Sequence, residues 1–167
     1  IKGDRTPTDE ILDGQILDSE LYNDGADITA GGTGIDLVGG VGWRIAGNYV
    51  HDYARDAVHY GIFVKGGARD AIIERNLVIG AKNRPHGAGA EVGISFGGGG
   101  TGPQFCAANN MGTQFCTCET FAGVARNNLV YDVNDSALHT KVACGSVFIN
   151  NTVYGASPGL QVQIAGG

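Results

Sequence analysis

Two lysines and a histidine are the residues of this sequence best suited to acid–base chemistry on one substrate. Lys65 lies in the segment GIFVKGG, whereas His139 and Lys141 lie in the related segment ALHTKVA. A lysine or a histidine can remove a proton from the carbon beside a carboxylate if another cation neutralises that carboxylate. The three residues therefore predict catalysis on an acidic substrate, provided that the fold brings them to one surface.

The segments that carry these residues belong to a repeat. Its copies begin at Gly34, Gly61, Gly93, Ala137 and Gly159, and the spacings between them are 27, 32, 44 and 22 residues. After each of the first four copies an Asn precedes a Val by two positions, with the Asn at Asn48, Asn76, Asn128 and Asn151. Short alternating strands joined by turns at this period predict an all-β solenoid, a parallel β-helix of about five to six coils.

Alternation along the strands predicts which side chains point inward. In the second strand of each coil, one inward column contains Ile45, Ile73, Ala125 and Phe148. We expect the four Asn residues to pair through their amides from coil to coil, at a turn where Asn tolerates left-handed backbone angles.

The outward positions of the first strand form two columns. One column runs through Asp36, Phe63, Ser95, His139 and Gln161, and the next through Val38, Lys65, Gly97, Lys141 and Gln163. Lys65 and Lys141 would lie two coils apart, roughly 10 Å. Gly97 between them leaves a shallow trough, for which we predict Lys65, His139 and Lys141 as the catalytic residues.

The residues around the trough supply a predicted substrate-binding set. Phe63 would present an aromatic platform, and the set is completed by Ser95 and by the preceding turn with Arg55, His59 and Tyr60. A simpler interpretation exists for each of them. Outward lysines and histidines often only increase solubility, and Phe63 could pack beneath an inserted loop.

Three of the four cysteines lie within an insertion. The 44-residue copy carries about 20 extra residues, which we place in a loop at 97–122, and Cys106, Cys116 and Cys118 fall inside it. Disulfides fit this pattern better than a four-thiolate metal site, because zinc sites usually contain paired C-x2-C units. Of the three pairings, Cys106–Cys116 with Cys118–Cys144 is preferred. Disulfides also favour a secreted or extracellular location.

Composition restricts the partners. The 167 residues form one domain, 43% hydrophobic and 17% charged, with 29 glycines and a net charge of −6. The absence of a basic stripe argues against nucleic acid, and no apolar run approaches the ~18 residues of a membrane span.

Acidic residues are concentrated in the first 30 positions, which form either an acidic N-terminal coil or a cover. They are Asp4, Asp9, Glu10, Asp13, Asp18, Glu20, Asp24 and Asp27. A solvated acidic edge is the simpler interpretation. Oxygen ligands for calcium are the alternative, and calcium is the one cofactor that the sequence suggests.

The ladder from Gly31 to Gly167 resembles the right-handed parallel β-helix proteins of the pectate-lyase-like superfamily. The segment FVKGGARDAIIERN is similar to the lysine-bearing coil of alginate lyase and chondroitinase B-like enzymes. This resemblance implies a polysaccharide lyase that cleaves an acidic, uronate-containing polysaccharide by β-elimination, with Lys65 as the base.

Two other functions compete with the lyase hypothesis. A noncatalytic structural or adhesive module, or a fibre subunit whose chains stack end to end, would have the same repeat. A glycoside hydrolase would need two carboxylates about 5–9 Å apart in the groove, and Asp36 is the only outward carboxylate of the aligned columns.

Overall fold

The chain folds into a right-handed parallel β-helix of about five coils. The computed structural model describes residues 10–23, 32–53, 57–98 and 101–164, together with the backbone of Lys2 and Gly3. The described residues contain 21 short strands and two 3₁₀ turns, without an α-helix. Every strand pairs in parallel with the equivalent strand of the neighbouring coil, which produces four sheets.

Sheet 1 contains six strands, β1 Lys2–Gly3, β5 Ile35–Val38, β9 His59–Lys65, β13 Glu91–Phe96, β17 Leu138–Lys141 and β21 Leu160–Gln163. Sheet 2 contains β2 Ile11–Leu12, β6 Gly40–Val41, β10 Ala68–Arg69, β14 Thr120–Phe121 and β18 Ala143–Cys144. Sheet 3 contains β3 Gln15–Leu17, β7 Arg44–Ala46, β11 Ile72–Glu74, β15 Val124–Arg126 and β19 Val147–Ile149. Sheet 4 contains β4 Glu20–Tyr22, β8 Tyr49–His51, β12 Leu77–Ile79, β16 Leu129–Tyr131 and β20 Thr152–Tyr154.

Residues with left-handed backbone angles divide each coil into four strands, more than the two that the repeat predicts. The corner between sheets 2 and 3 has positive φ at Asp13, Gly42, Asp70, Ala122 and Gly145. The corner between sheets 3 and 4 has positive φ at Asp18, Gly47, Arg75, Asn127 and Asn150. Because a single left-handed residue turns the chain sharply, each corner ends one strand and begins the next.

The inward columns follow the predicted alternation. Ile73 is fully buried and pairs in register with Ile45 on one side and Ala125 on the other, and Ala125 pairs with Phe148. Phe96 of sheet 1 meets Phe148 of sheet 3 across the core, with ring centroids 5.5 Å apart. Sheets 1 and 3 are therefore opposite walls of the β-helix.

The Asn ladder forms as predicted. The side-chain amide of Asn48 donates to Asn76 Oδ1 at 3.0 Å, Asn76 donates to Asn128 at 2.9 Å, and Asn128 donates to Asn151 at 2.9 Å. Each acceptor oxygen also binds the backbone N–H of the preceding Asn. The left-handed angles predicted for these residues belong instead to the residue before each Asn, at the corner itself.

The inserted loop leaves sheet 1 after β13 and rejoins the β-helix at β14. It contains the 3₁₀ turns Pro103–Phe105 and Ala108–Asn110. Both preferred disulfides form, Cys106–Cys116 within the loop and Cys118–Cys144 between the loop and the next coil. The end of the loop is therefore attached covalently to sheet 2, through Cys144 of β18.

Candidate active site

The predicted outward columns of sheet 1 are in register. Asp36 pairs with Phe63, Phe63 with Ser95, Ser95 with His139, and His139 with Gln161. In the second column, Val38 pairs with Lys65 and Lys141 with Gln163. The stacking of coils therefore places the chemically useful side chains in straight rows.

An open depression of about 380 Å³ lies over the C-terminal end of these columns, around β17 and β21. His139, Lys141 and Tyr60 line it. Asp135, Gln161 and Gln163 supply further polar groups, and the backbone at Gly98 forms one edge.

The hydrogen bonds around His139 define its neutral tautomer. Ser95 Oγ donates its single proton to the carbonyl oxygen of Gly97 at 2.5 Å. His139 Nδ1 lies 2.7 Å from Ser95 Oγ, so Nδ1–H must be the donor in that contact. Nε2 is then the unprotonated nitrogen of the neutral ring, the one that would take a proton from a substrate, and the Gln163 side chain hydrogen-bonds to the same ring. Ser95 is fully buried and has already donated its proton, which makes it a positioning residue and not a nucleophile.

Burial makes the neutral form of His139 the stable one. The ring is 4% exposed, and its burial lowers the pKa of His139 below the usual 6.5. The ammonium group of Lys141 acts in the same direction, whereas the Gln163 side chain and the Asp135 carboxylate oppose it. At neutral pH the imidazole is therefore uncharged.

Tyr60 has the opposite protonation behaviour at the other side of the depression. Burial raises the pKa of Tyr60 above 10, and Asp135 and Asp36 raise it further, so the phenol keeps its proton. Its ring stacks on Phe63 with centroids 3.8 Å apart. A Cβ atom at Gly98 would lie 3.0 Å from the Tyr60 hydroxyl, which shows that the loop backbone passes directly beside it.

Phe63 corrects one expectation from the sequence. Its ring is only 4% exposed, because Tyr60 and the loop backbone at Gly98 cover it. The Phe63 ring packs against the inner face of the Tyr60 ring and offers no open platform to a sugar ring.

Lys65 does not line the depression. Its Nζ lies 3.6 Å from Asp36 Oδ1 in the preceding coil and 4.3 Å from the centroid of the Phe63 ring. The expected trough between Lys65 and Lys141 is therefore not formed as one space. The buried carboxyl of Glu119 lies near Lys65 and accepts the backbone N–H of Gly66 at 2.8 Å, and burial raises the pKa of Glu119.

Two further predicted binding residues, His59 and Arg55, are not part of the depression that the structure shows. His59 begins β9 and is half-buried, and its backbone N–H donates to Ala90. Arg55 lies outside the described residues.

A second depression of about 470 Å³ lies on the other side of Lys141. It is formed by Lys141, Val142 and residues 112–117 of the inserted loop. The loop therefore lies beside the end of sheet 1 at Lys141, and Lys141 lines both spaces.

The acidic N-terminal residues that the structure describes are dispersed. Glu10 pairs with Arg69 and Glu20 with His51, while Asp13 and Asp18 occupy corners with positive φ. Asp4, Asp9, Asp24 and Asp27 lie outside the described residues. Among the residues described, no group of three or more His, Cys, Asp or Glu side chains is arranged to hold a metal ion.

The structure adds three polar residues that sequence reasoning did not assign to the site, Asp135, Gln161 and Gln163. The two glutamines stood in the predicted columns beside His139 and Lys141, and that position was the available signal. Asp135 lies in the turn before β17, where no repeat pattern marks it.

Comparison with known proteins yields no relative. No family model, no curated protein and no solved structure matches the chain. Within the described residues, no helix has the length and apolar character needed to cross a membrane.

Proposed function

We propose that this protein is a secreted polysaccharide lyase that cleaves an acidic, uronate-containing glycan by β-elimination at the depression over His139. The observation that carries the proposal is the neutral His139, whose Nδ1–H is held by Ser95 and whose Nε2 can accept a proton beside Lys141. The resemblance to pectate-lyase-like β-helix enzymes and the two disulfides support the same activity and an extracellular location.

Each residue would have one role in the reaction. Lys141 neutralises the uronate carboxylate, which makes the neighbouring C–H acidic. His139 Nε2 removes that proton, the C–H electrons form the C=C bond, and the C–O bond to the leaving sugar breaks. Tyr60 donates its phenolic proton to the departing oxygen, and solvent returns the proton from His139 to Tyr60.

This mechanism assigns the base differently from the family resemblance, which implies Lys65. Lys65 lies beside Asp36 and Phe63, outside the depression. We therefore propose that Lys65 supports Phe63 and Tyr60, which lie on the same strand, β9.

The direct test is ultraviolet absorbance during incubation with alginate, pectate, chondroitin and heparin-like chains, because β-elimination leaves an absorbing C=C bond. Parallel samples with calcium and with EDTA test whether calcium assists. We expect absorbance to rise on one polymer and the rate to fall about 10²–10⁴-fold in His139→Ala.

The negative outcome is equally informative. If the folded protein produces no absorbance on any of the polymers, the lyase proposal is wrong, and the structural or adhesive module becomes the better hypothesis. Activity that is unchanged in His139→Ala but lost in Lys65→Ala would restore the base implied by the family.

A further inference from the structure

Three arginines surround one buried glutamate on the outward face of sheet 3, the wall opposite the depression. Glu74 is 2% exposed. Arg44 contacts Glu74 Oε1 through Nε at 2.9 Å and Nη2 at 2.7 Å. Arg126 contacts Oε2 through the same two nitrogens at 2.9 and 2.7 Å, and Arg75 Nη2 lies 3.3 Å from Oε1. We call this group the arginine face.

The stacking of coils creates this convergence. Glu74 in β11 pairs in register with Arg126 in β15, and Arg44 in β7 reaches it from the coil on the other side. Arg75 follows Glu74 at the left-handed corner. The two ion pairs with Arg44 and Arg126 lower the pKa of Glu74, so its carboxylate stays charged at neutral pH.

The arginine face carries more charge than its glutamate can neutralise. Three guanidinium charges against one carboxylate leave an excess of two positive charges, in a chain whose net charge is −6. The side chains of Arg44, Arg75 and Arg126 are 41%, 57% and 46% exposed. Among the described residues, Glu74 is the only carboxylate paired with them.

The guanidinium geometry leaves donors available for a second anion. A guanidinium has five N–H donors, and Arg44 and Arg126 turn the Nε–Nη2 edge toward Glu74. The Nη1–Nη2 edge of each points away from Glu74, and it has the fork that binds a carboxylate or sulfate through two hydrogen bonds. Glu74 therefore orients two forks while it neutralises only part of their charge.

We propose that the arginine face is a second, noncatalytic binding site for a carboxylated or sulfated glycan. Successive coils lie about 4.8 Å apart, and Arg44 on β7 and Arg126 on β15 are two coils apart on either side of Glu74, so an extended anionic chain that runs across the coils can reach both. Ile149, in register with Arg126, and Val147 on the same strand are 46% and 44% exposed, and they can pack against the apolar C–H faces of sugar rings. The proposal does not depend on catalysis at the depression.

The test is titration calorimetry with a linear oligomer of eight galacturonate residues, in a His139→Ala/Lys141→Ala background that removes the opposite site. We expect binding that weakens with added salt, and no binding of the uncharged methyl ester of the same oligomer. Arg44→Gln/Arg126→Gln should weaken binding at least about tenfold, because it removes both guanidinium forks and their charge.

Two further variants separate this result from loss of folding. Arg75→Gln removes the most exposed and most distant of the three cations, so it should weaken binding about threefold without a change in the unfolding temperature. Arg69→Gln is the matched control, because Arg69 is 45% exposed on sheet 2 and pairs with Glu10. Its substitution should leave binding unchanged.

Several outcomes would overturn the proposal. They are no binding of the octamer by the background protein, equal binding of the methyl ester, and equal losses in the Arg69 and the Arg44/Arg126 variants. Binding to phosphatidylglycerol vesicles without binding to the octamer would instead identify a lipid surface as the partner.

Discussion

The outward faces of sheets 1 and 3 are built by the same stacking of coils but differ in electrostatics: one buries a neutral imidazole and the other exposes guanidinium charges to solvent. On sheet 1, Ser95 and His139 are 0% and 4% exposed, and burial holds the imidazole in its neutral form. On sheet 3, the arginines stay 41–57% exposed, and only Glu74 is buried. A buried neutral imidazole suits proton transfer, whereas solvated guanidiniums suit static binding of an anion.

The largest expected effect is on kcat/KM, and it should differ between variants of the two lysines of sheet 1. Lys141→Ala should lower kcat/KM on the acidic polymer by about 10²-fold or more, because the substrate carboxylate then lacks its counter-charge. Lys65→Ala should lower it less than tenfold, since Lys65 acts only through Phe63 and Tyr60. Steady-state kinetics measure both. Arg69→Gln on sheet 2 is the control, and it should leave kcat unchanged.

The next effect concerns the tautomer of His139. Ser95→Ala removes the acceptor for Nδ1–H, so a fraction of the rings will protonate Nε2 instead, and kcat should fall about tenfold. In the unmodified protein the rate should rise with pH through a midpoint below 6.5 and stay high until a midpoint above 10, where Tyr60 ionises. A Ser95→Ala variant with an unchanged rate would contradict the positioning role.

A smaller effect should follow from adding one methyl group at Gly98. A Cβ atom there would lie 2.7 Å from the Phe63 ring, so Gly98→Ala must displace the Tyr60–Phe63 stack, at a cost of about 1–3 kcal/mol. We expect a lower unfolding temperature and a several-fold lower rate. Gly159→Ala is the matched control, because its Cβ would meet only Val153 at 3.5 Å. Equal results for the two variants would show that Tyr60 needs no such support.

The smallest effect is a difference in the pH dependence of stability. The pKa of His139 is lowered by folding, so protonation favours the unfolded chain, and His139 should reduce stability as the pH falls below 6.5. The pKa of Glu74 is lowered by Arg44 and Arg126, so its stabilisation is present above pH 4.5 and is lost as the pH falls through its lower folded pKa.

Unfolding temperatures of two variants separate these windows. His139→Asn should flatten the decline between about pH 7 and 5, and Glu74→Gln should flatten only the decline below about pH 4.5. Burial lowers the pKa of His86, but Glu91 and Asp132 together outweigh burial and raise that pKa above 6.5. The stabilisation from His86 is therefore present below pH 6.5 and is lost at higher pH. This contribution of His86 to the pH dependence of stability should be unchanged in both variants. Identical profiles for both variants would contradict the distinction between the two faces.

The sequence by itself determined the solenoid, its inward columns and the Asn ladder. These features repeat along the chain, because each coil must offer the next coil a matching apolar side chain and a matching amide. The repeat also identified His139 and Lys141 as neighbours on one outward face. The clustering of three cysteines within the longest copy identified the inserted loop, whereas the choice among the three disulfide pairings was decided by the structure.

Only the tertiary structure decided which outward residues share a space. Phe63 lies beneath Tyr60 because the loop backbone passes over it at Gly98, and that path has no repeat to predict it. Lys65 turns toward Asp36 in the preceding coil, a choice between two neighbours that the strand pattern leaves open. The same holds for Glu74, whose arginines come from three different coils and converge only when those coils stack.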